Sequence, residues 1–103
     1  MRQLACLFLV AALAACGGPS ATSDPARIRA GTDAVRKTLQ EPQTAQFRNV
    51  ESYAAAVCGE VNASVGMGRT GYERFVVKGG TVTLESQLPT NAAMDARWAA
   101  DCK

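Results

Sequence analysis

The sequence predicts a small α+β domain, a helix followed by a four-stranded antiparallel sheet and a second helix, with one disulfide. Three features carry this reading. Asp24-Pro25 opens an apolar stripe at helical spacing, two strand-like runs meet at Gly79-Gly80, and Met94, Trp98 and Cys102 recur every four residues at the C-terminal end.

The first helix starts at Asp24, a good N-cap, with Pro25 in the first helical position where its missing N–H costs nothing. Ile28, Thr32, Val35 and Leu39 then form one narrow apolar stripe. Glu41-Pro42 is expected to end the helix, because the residue before a proline avoids helical backbone angles. Gln46–Glu51 reads as a first strand. Ala55–Asn62 reads as a second, with Val57, Gly59 and Val61 on one face and Cys58 and Glu60 on the other, although the alanines before it also suit a helix. Ala63–Gly71 is expected to be a glycine-rich loop. Tyr72–Lys78 and Thr81–Glu85 are strands joined by the Gly79-Gly80 turn, a strong hairpin signal. Pro89-Thr90-Asn91 leads into the last helix.

The N-terminus reads differently. Met1-Arg2-Gln3 is a short cationic segment, Leu4–Leu13 is apolar, and small residues follow, which is the order of a secretory signal. The apolar run is shorter than the roughly 20 residues of a membrane-spanning helix, and Gly17-Gly18-Pro19 breaks it. Leu13-Ala14-Ala15-Cys16 resembles the lipobox of bacterial lipoproteins, in which the cysteine receives a diacylglycerol and becomes the first mature residue. The expected division is therefore a signal over 1–15, a lipidated flexible tether over 16–23 and a folded domain over 24–103. Several acyl chains on Cys16 suffice for stable anchoring. The lack of aspartate at Gly17 points to the periplasmic face of the outer membrane.

Four cysteines then resolve by elimination. Cys6 leaves with the signal, the lipid consumes Cys16, and Cys58 and Cys102 remain in an oxidising compartment, where they are expected to pair. A domain this small is marginal without such a staple.

Charge and composition exclude more than they suggest. The whole chain carries 11 cationic and 9 acidic residues, and loss of Arg2 leaves 10 against 9. That balance offers no concentrated basic face for nucleic acid. There is no histidine, so the commonest general base and the commonest metal ligand are both missing. No Cys-x-x-Cys spacing indicates a metal, and no cofactor is expected. Gly66–Gly71 matches a dinucleotide-binding string, but a strand follows it where that fold needs a helix. Cys58 beside Glu60 has no activating partner for nucleophilic chemistry. The strand glutamates and the basic side of the first helix read as solvated surface.

Leu39–Val50, Val57–Ala63 and Gly71–Phe75 resemble a group of small proteins of unknown function encoded in bacterial and prophage genomes. Their pattern runs Ala-x-Phe-Arg-x-Val, then Cys-Gly-x-Val-Asn-Ala, then a Gly-Tyr stretch and an aromatic pair around a basic residue. Ser64–Thr70 departs from it, being one residue short and lacking an asparagine and a tyrosine. The resemblance implies no activity. The expectation is thus a non-enzymatic envelope lipoprotein, a binding or structural module held to the membrane by its lipid, with an envelope protein as its partner. The alternative is an inhibitor of a lytic enzyme such as lysozyme, or a phage-exclusion lipoprotein, using Ala63–Gly71 as an inserted loop. Arg69 in that loop, with Tyr72 and Arg74 after it, forms the candidate binding set; no catalytic or metal residue is assigned.

Overall fold

A computed structural model describes residues 24–103. The expected signal over 1–15 and the expected tether over 16–23, with Cys16, lie outside the described residues.

Helix α1 spans Pro25–Arg36. The Asp24 carboxylate caps it by accepting from the N–H groups of Ala26 and Arg27, at 3.1 and 3.3 Å. The helix stops at Arg36 and does not run on to Glu41. Thr38 explains the early end: its hydroxyl and its N–H both donate to the Val35 carbonyl, at 2.8 and 2.9 Å. Leu39 N–H likewise donates to Arg36 O. These shorter-range bonds take the carbonyls that a continuing helix would use. Leu39 still packs on the core beyond the last turn.

Strands β1 (Gln46–Ser52), β2 (Val57–Asn62), β5 (Glu73–Lys78) and β6 (Thr81–Leu84) form one antiparallel sheet in the order β1-β2-β5-β6. The expected loop at 63–71 holds a small hairpin instead, β3 (Ser64–Val65) with β4 (Gly68–Arg69). Gly66 supplies the positive φ of 63° that its two-residue turn requires. Gly79 and Gly80, both at positive φ, make the β5–β6 turn as expected. Glu85 leaves the last strand and enters a helical turn over Glu85–Gln87. Helix α2 spans Asn91–Asp101, with the Thr90 hydroxyl accepting from Ala93 N–H at 3.1 Å.

The two helices cover opposite faces of the sheet, giving three layers and two cores. Val57, Val61, Phe75, Val77 and Leu84 pack with Val35 of α1. Ala56, Cys58 and Val76 pack with Met94 of α2, and Trp98 borders them. Side chains alternate across a strand, so the unbroken Phe75-Val76-Val77 run feeds both cores. Gly31 lets α1 approach β2: a β-carbon there would stand 2.8 Å from Val57 Cγ1. Cys58 and Cys102 form the expected disulfide, with Cα atoms 6.1 Å apart and a sequence separation of 44. It ties the end of α2 to a central strand. The Lys78 ammonium reinforces that end at 3.1 Å from the buried Asp101 carboxylate.

Candidate functional site

The α2 side of the sheet is apolar only under the helix. Beyond it the facing residues are charged and aromatic, and their order follows from the strand register. Arg48 of β1 stands opposite Glu60 of β2, and Glu60 stands opposite Arg74 of β5. Leu84 pairs with Phe75, so Glu85 falls beside Arg74. The result is a row of alternating charge that crosses β1, β2 and β5 and ends at Glu85, just past β6.

Its contacts are short. Arg48 Nε donates to Glu60 Oε1 at 2.8 Å, and Asn49 Nδ2 donates to the same oxygen at 3.0 Å. Arg74 Nη2 lies 2.7 Å from Glu85 Oε2, while the Arg74 N–H donates to Glu85 Oε1 at 3.0 Å. Arg74 Nη1 reaches Asp95 of α2 at 2.8 Å. Two aromatic rings complete the row: Tyr72 under the Arg48 guanidinium at 3.8 Å, and Trp98 beside Arg74 at 5.8 Å. Such stacks hold an arginine in one orientation.

These bonds explain the electrostatics. Hydrogen bonds from Arg48, then from Asn49, hold the Glu60 carboxyl below the usual carboxylate range. Arg74 does the same for Glu85 through its side chain and then its backbone. Arg74 is raised in turn, chiefly by Glu85 and then by Asp95. Carboxylates stabilised as anions in this way are poor proton donors or acceptors near neutral pH.

A local irregularity aims Arg48. Between Arg48 and Glu51, β1 carries an extra residue opposite Gly59. Asn49 absorbs this bulge with φ 55°, a conformation asparagine tolerates better than most residues. Bulges commonly redirect a side chain at functional surfaces.

The residues singled out from sequence fall into two groups. Tyr72 and Arg74 both belong to the charged row. Arg69 adjoins it but is fully engaged: it donates to the Asn62 side chain at 3.1 Å, to Ser64 Oγ at 3.2 Å and to the backbone oxygens of Thr44 and Asn62 at 2.9 and 3.2 Å. Arg69 therefore binds the hairpin to the body. The projecting residue at the tip is Met67, which is fully exposed. Arg48, Asn49 and Glu60 were not singled out as site residues, although the first two lie in the Phe-Arg-x-Val segment and Glu60 in the Cys-Gly-x-Val segment.

Beside the row lies an open cleft of about 680 Å³, bordered by Thr70, Glu73, Glu85, Ser86, Thr90 and Asn91. Glu73 accepts from Ser86 N–H there at 2.8 Å. Among the described residues, no group of three or more acidic or cysteine side chains converges as for a metal ion. Nor is any helix among them long and apolar enough to cross a membrane. Comparison with known proteins leaves the fold and the site to stand on this geometry: no family model matches the chain, and no curated protein or solved structure is significantly similar to it.

Proposed function

We propose that this chain is a lipid-anchored, non-enzymatic binding module of the bacterial cell envelope. Cys16 carries the lipid, and the periplasmic face of the outer membrane is its site. One observation carries the binding role. Among the described residues, the exposed large hydrophobic side chains are Val65, Met67 and Tyr72, all at one end of the domain. Together with Arg48 they form the mix of methionine, aromatic and arginine that is enriched at protein interfaces.

That end lies away from Asp24, where the described residues begin. The start of α1 lies by Tyr53, whose carbonyl accepts from Arg27 Nη1 at 2.8 Å. Its end lies by Phe47, over which Arg36 stacks at 5.0 Å. Phe47 pairs with Val61, just before the hairpin. The 12 residues of α1 thus separate Asp24 from the hairpin end by about 18 Å, at about 1.5 Å per residue. An anchored domain would offer its hairpin end to a partner and not to its own membrane.

Two measurements test the proposal. Palmitate should label the protein, and Cys16→Ser should abolish labelling and membrane retention; a serine variant that stays membrane-bound and uncleaved would refute the anchor. A photo-crosslinker at position 67 in intact cells should give a discrete adduct, while one at position 29 on the exposed side of α1 should not. No adduct at 67 would refute the binding end. The inhibitor reading draws on the same projecting hairpin, with Met67 and not Arg69 entering the enzyme's cleft. A lysozyme inhibition assay with a Met67→Ser control decides it.

A further inference from the structure

Arg48 is held by contacts on two sides, although it sits on an edge strand and its side chain is 52% exposed. Tyr72 lies under its guanidinium, Glu60 holds its Nε, and the bulge at Asn49 sets its direction. Its two Nη groups make no hydrogen bond among the described residues. A guanidinium with its outer edge free is a fork that accepts a carboxylate through two parallel bonds. Because the Tyr72 stack and the Glu60 bond already restrain the side chain, a ligand bears less of the entropy of fixing it.

The surroundings select the kind of ligand. Glu60 meets Arg48 at Nε alone, through an oxygen it also gives to Asn49, so the Nη edge of Arg48 stays open. The other arginines of this face are engaged, Arg74 by Glu85 and Asp95, and Arg69 by Thr44, Asn62 and Ser64. A single free fork suits a singly charged carboxylate better than a phosphate dianion. Asn62, two residues along β2 from Glu60, leads through Arg69 to the hairpin that carries exposed Val65 and Met67. Apolar surface at the same end of the domain as a charge fork fits a polypeptide that carries both acidic and apolar residues.

We propose that Arg48, stacked on Tyr72 and with neither Nη group bonded among the described residues, anchors an aspartate or glutamate carboxylate of a protein partner, while Val65 and Met67 take an apolar side chain of the same partner. This rests on the hairpin end being the binding end, and it names the chemistry of what binds there. Arg48 would be the hot spot, and the hairpin the surface that excludes water around it.

The test is a selection of displayed random peptides against the full chain in detergent micelles. Recovered peptides are then measured against Arg48→Gln, Arg48→Lys and Met67→Ser. Peptides enriched in Asp and Glu are expected. Affinity should fall by about tenfold or more in Arg48→Gln, as for loss of a charge-assisted pair, and by less in Arg48→Lys, which keeps the charge but not the fork. Replacing the peptide's acidic residue by its amide should reproduce the Arg48→Gln loss. Equal binding to wild type and both Arg48 variants would overturn the carboxylate anchor. So would competition by inorganic phosphate at concentrations where acetate has no effect. If peptides lose affinity in Met67→Ser alone, the anchor fails and the binding end stands. If no peptide is recovered, or none is sensitive to any of the three variants, both fail.

Discussion

Gly59 lies against Val50 with no space for a methyl group: a β-carbon at position 59 would stand 2.8 Å from Val50 Cγ2 and 3.0 Å from Phe75 Cζ. The contact exists because the β1 bulge presses Val50 toward β2 at the point where Phe75 faces Gly59 from the other side. Gly59→Ala must therefore move the bulge or the ring. It is expected to destabilise the domain by about 1–3 kcal/mol. Thermal melting would read this as a fall of roughly 4–8 °C per kcal/mol for a domain of this size. A melting temperature unchanged from wild type would mean that the bulge is not fixed by packing.

The Cys58–Cys102 bond should supply a large share of the stability. Closing a 44-residue separation is worth up to about 4 kcal/mol in chain entropy. Met94 and the Arg74–Asp95 pair still hold α2 when the bond is absent. Reduction, or a Cys58→Ala/Cys102→Ala double variant, is accordingly expected to lower the melting temperature clearly without abolishing folding. Mass spectrometry after alkylation without reductant should find no adduct on either cysteine; two adducts would contradict the bond.

Acid should weaken the charged row in a defined window. Glu60 and Glu85 both titrate lower in the folded protein than in the unfolded chain. Folding thus favours their ionised forms. The resulting stability is fully present above the unfolded value of about 4.3 and is lost as pH falls through the lower folded values. Melting temperature should hold steady above about pH 5 and fall below about pH 4. In Glu85→Gln the acid side of that curve should be flatter and the neutral-pH stability lower. A Glu85→Gln curve parallel to wild type would show that this carboxylate carries none of the acid sensitivity.

Lys78 and Asp101 form a pair in which only the acid is buried, its side chain being 9% exposed. Removing the cation strands a carboxylate, which costs more than the pair itself contributes. Lys78→Met is expected to destabilise by about 1–3 kcal/mol, and adding Asp101→Asn should recover part of the loss. Urea denaturation of the two single variants and the double variant measures this coupling. A purely additive result would refute it.

Local chemistry decided much of this domain. The Asp24 cap, the Gly79-Gly80 turn and the apolar runs of β2 and β5 each follow from a few neighbouring residues. Their physical causes act within one or two turns of chain, so the helix–sheet–helix order is readable directly, whereas the Cys58–Cys102 pair, 44 positions apart, is reached only by elimination among the four cysteines. Part of the site was readable as well. A two-residue turn fixes register, and four residues back from Lys78 and four on from Thr81 fall Arg74 and Glu85.

Tertiary structure decided the rest. Which face of the sheet each helix covers is not encoded in either helix alone, since both cores draw on the same alternating strands. The partnership of Arg48 with Glu60 depends on the β1–β2 register, and a bulge shifts that register by one residue. Arg69 looked like a free charge in a flexible loop because hydrogen bonds to Thr44, across 25 residues, leave no local mark. Thr38 ended α1 before the proline did, through competition for one carbonyl. Cross-strand side-chain contacts join residues distant in sequence, so the alternating row and the free edge of Arg48 arise only when the chain is folded.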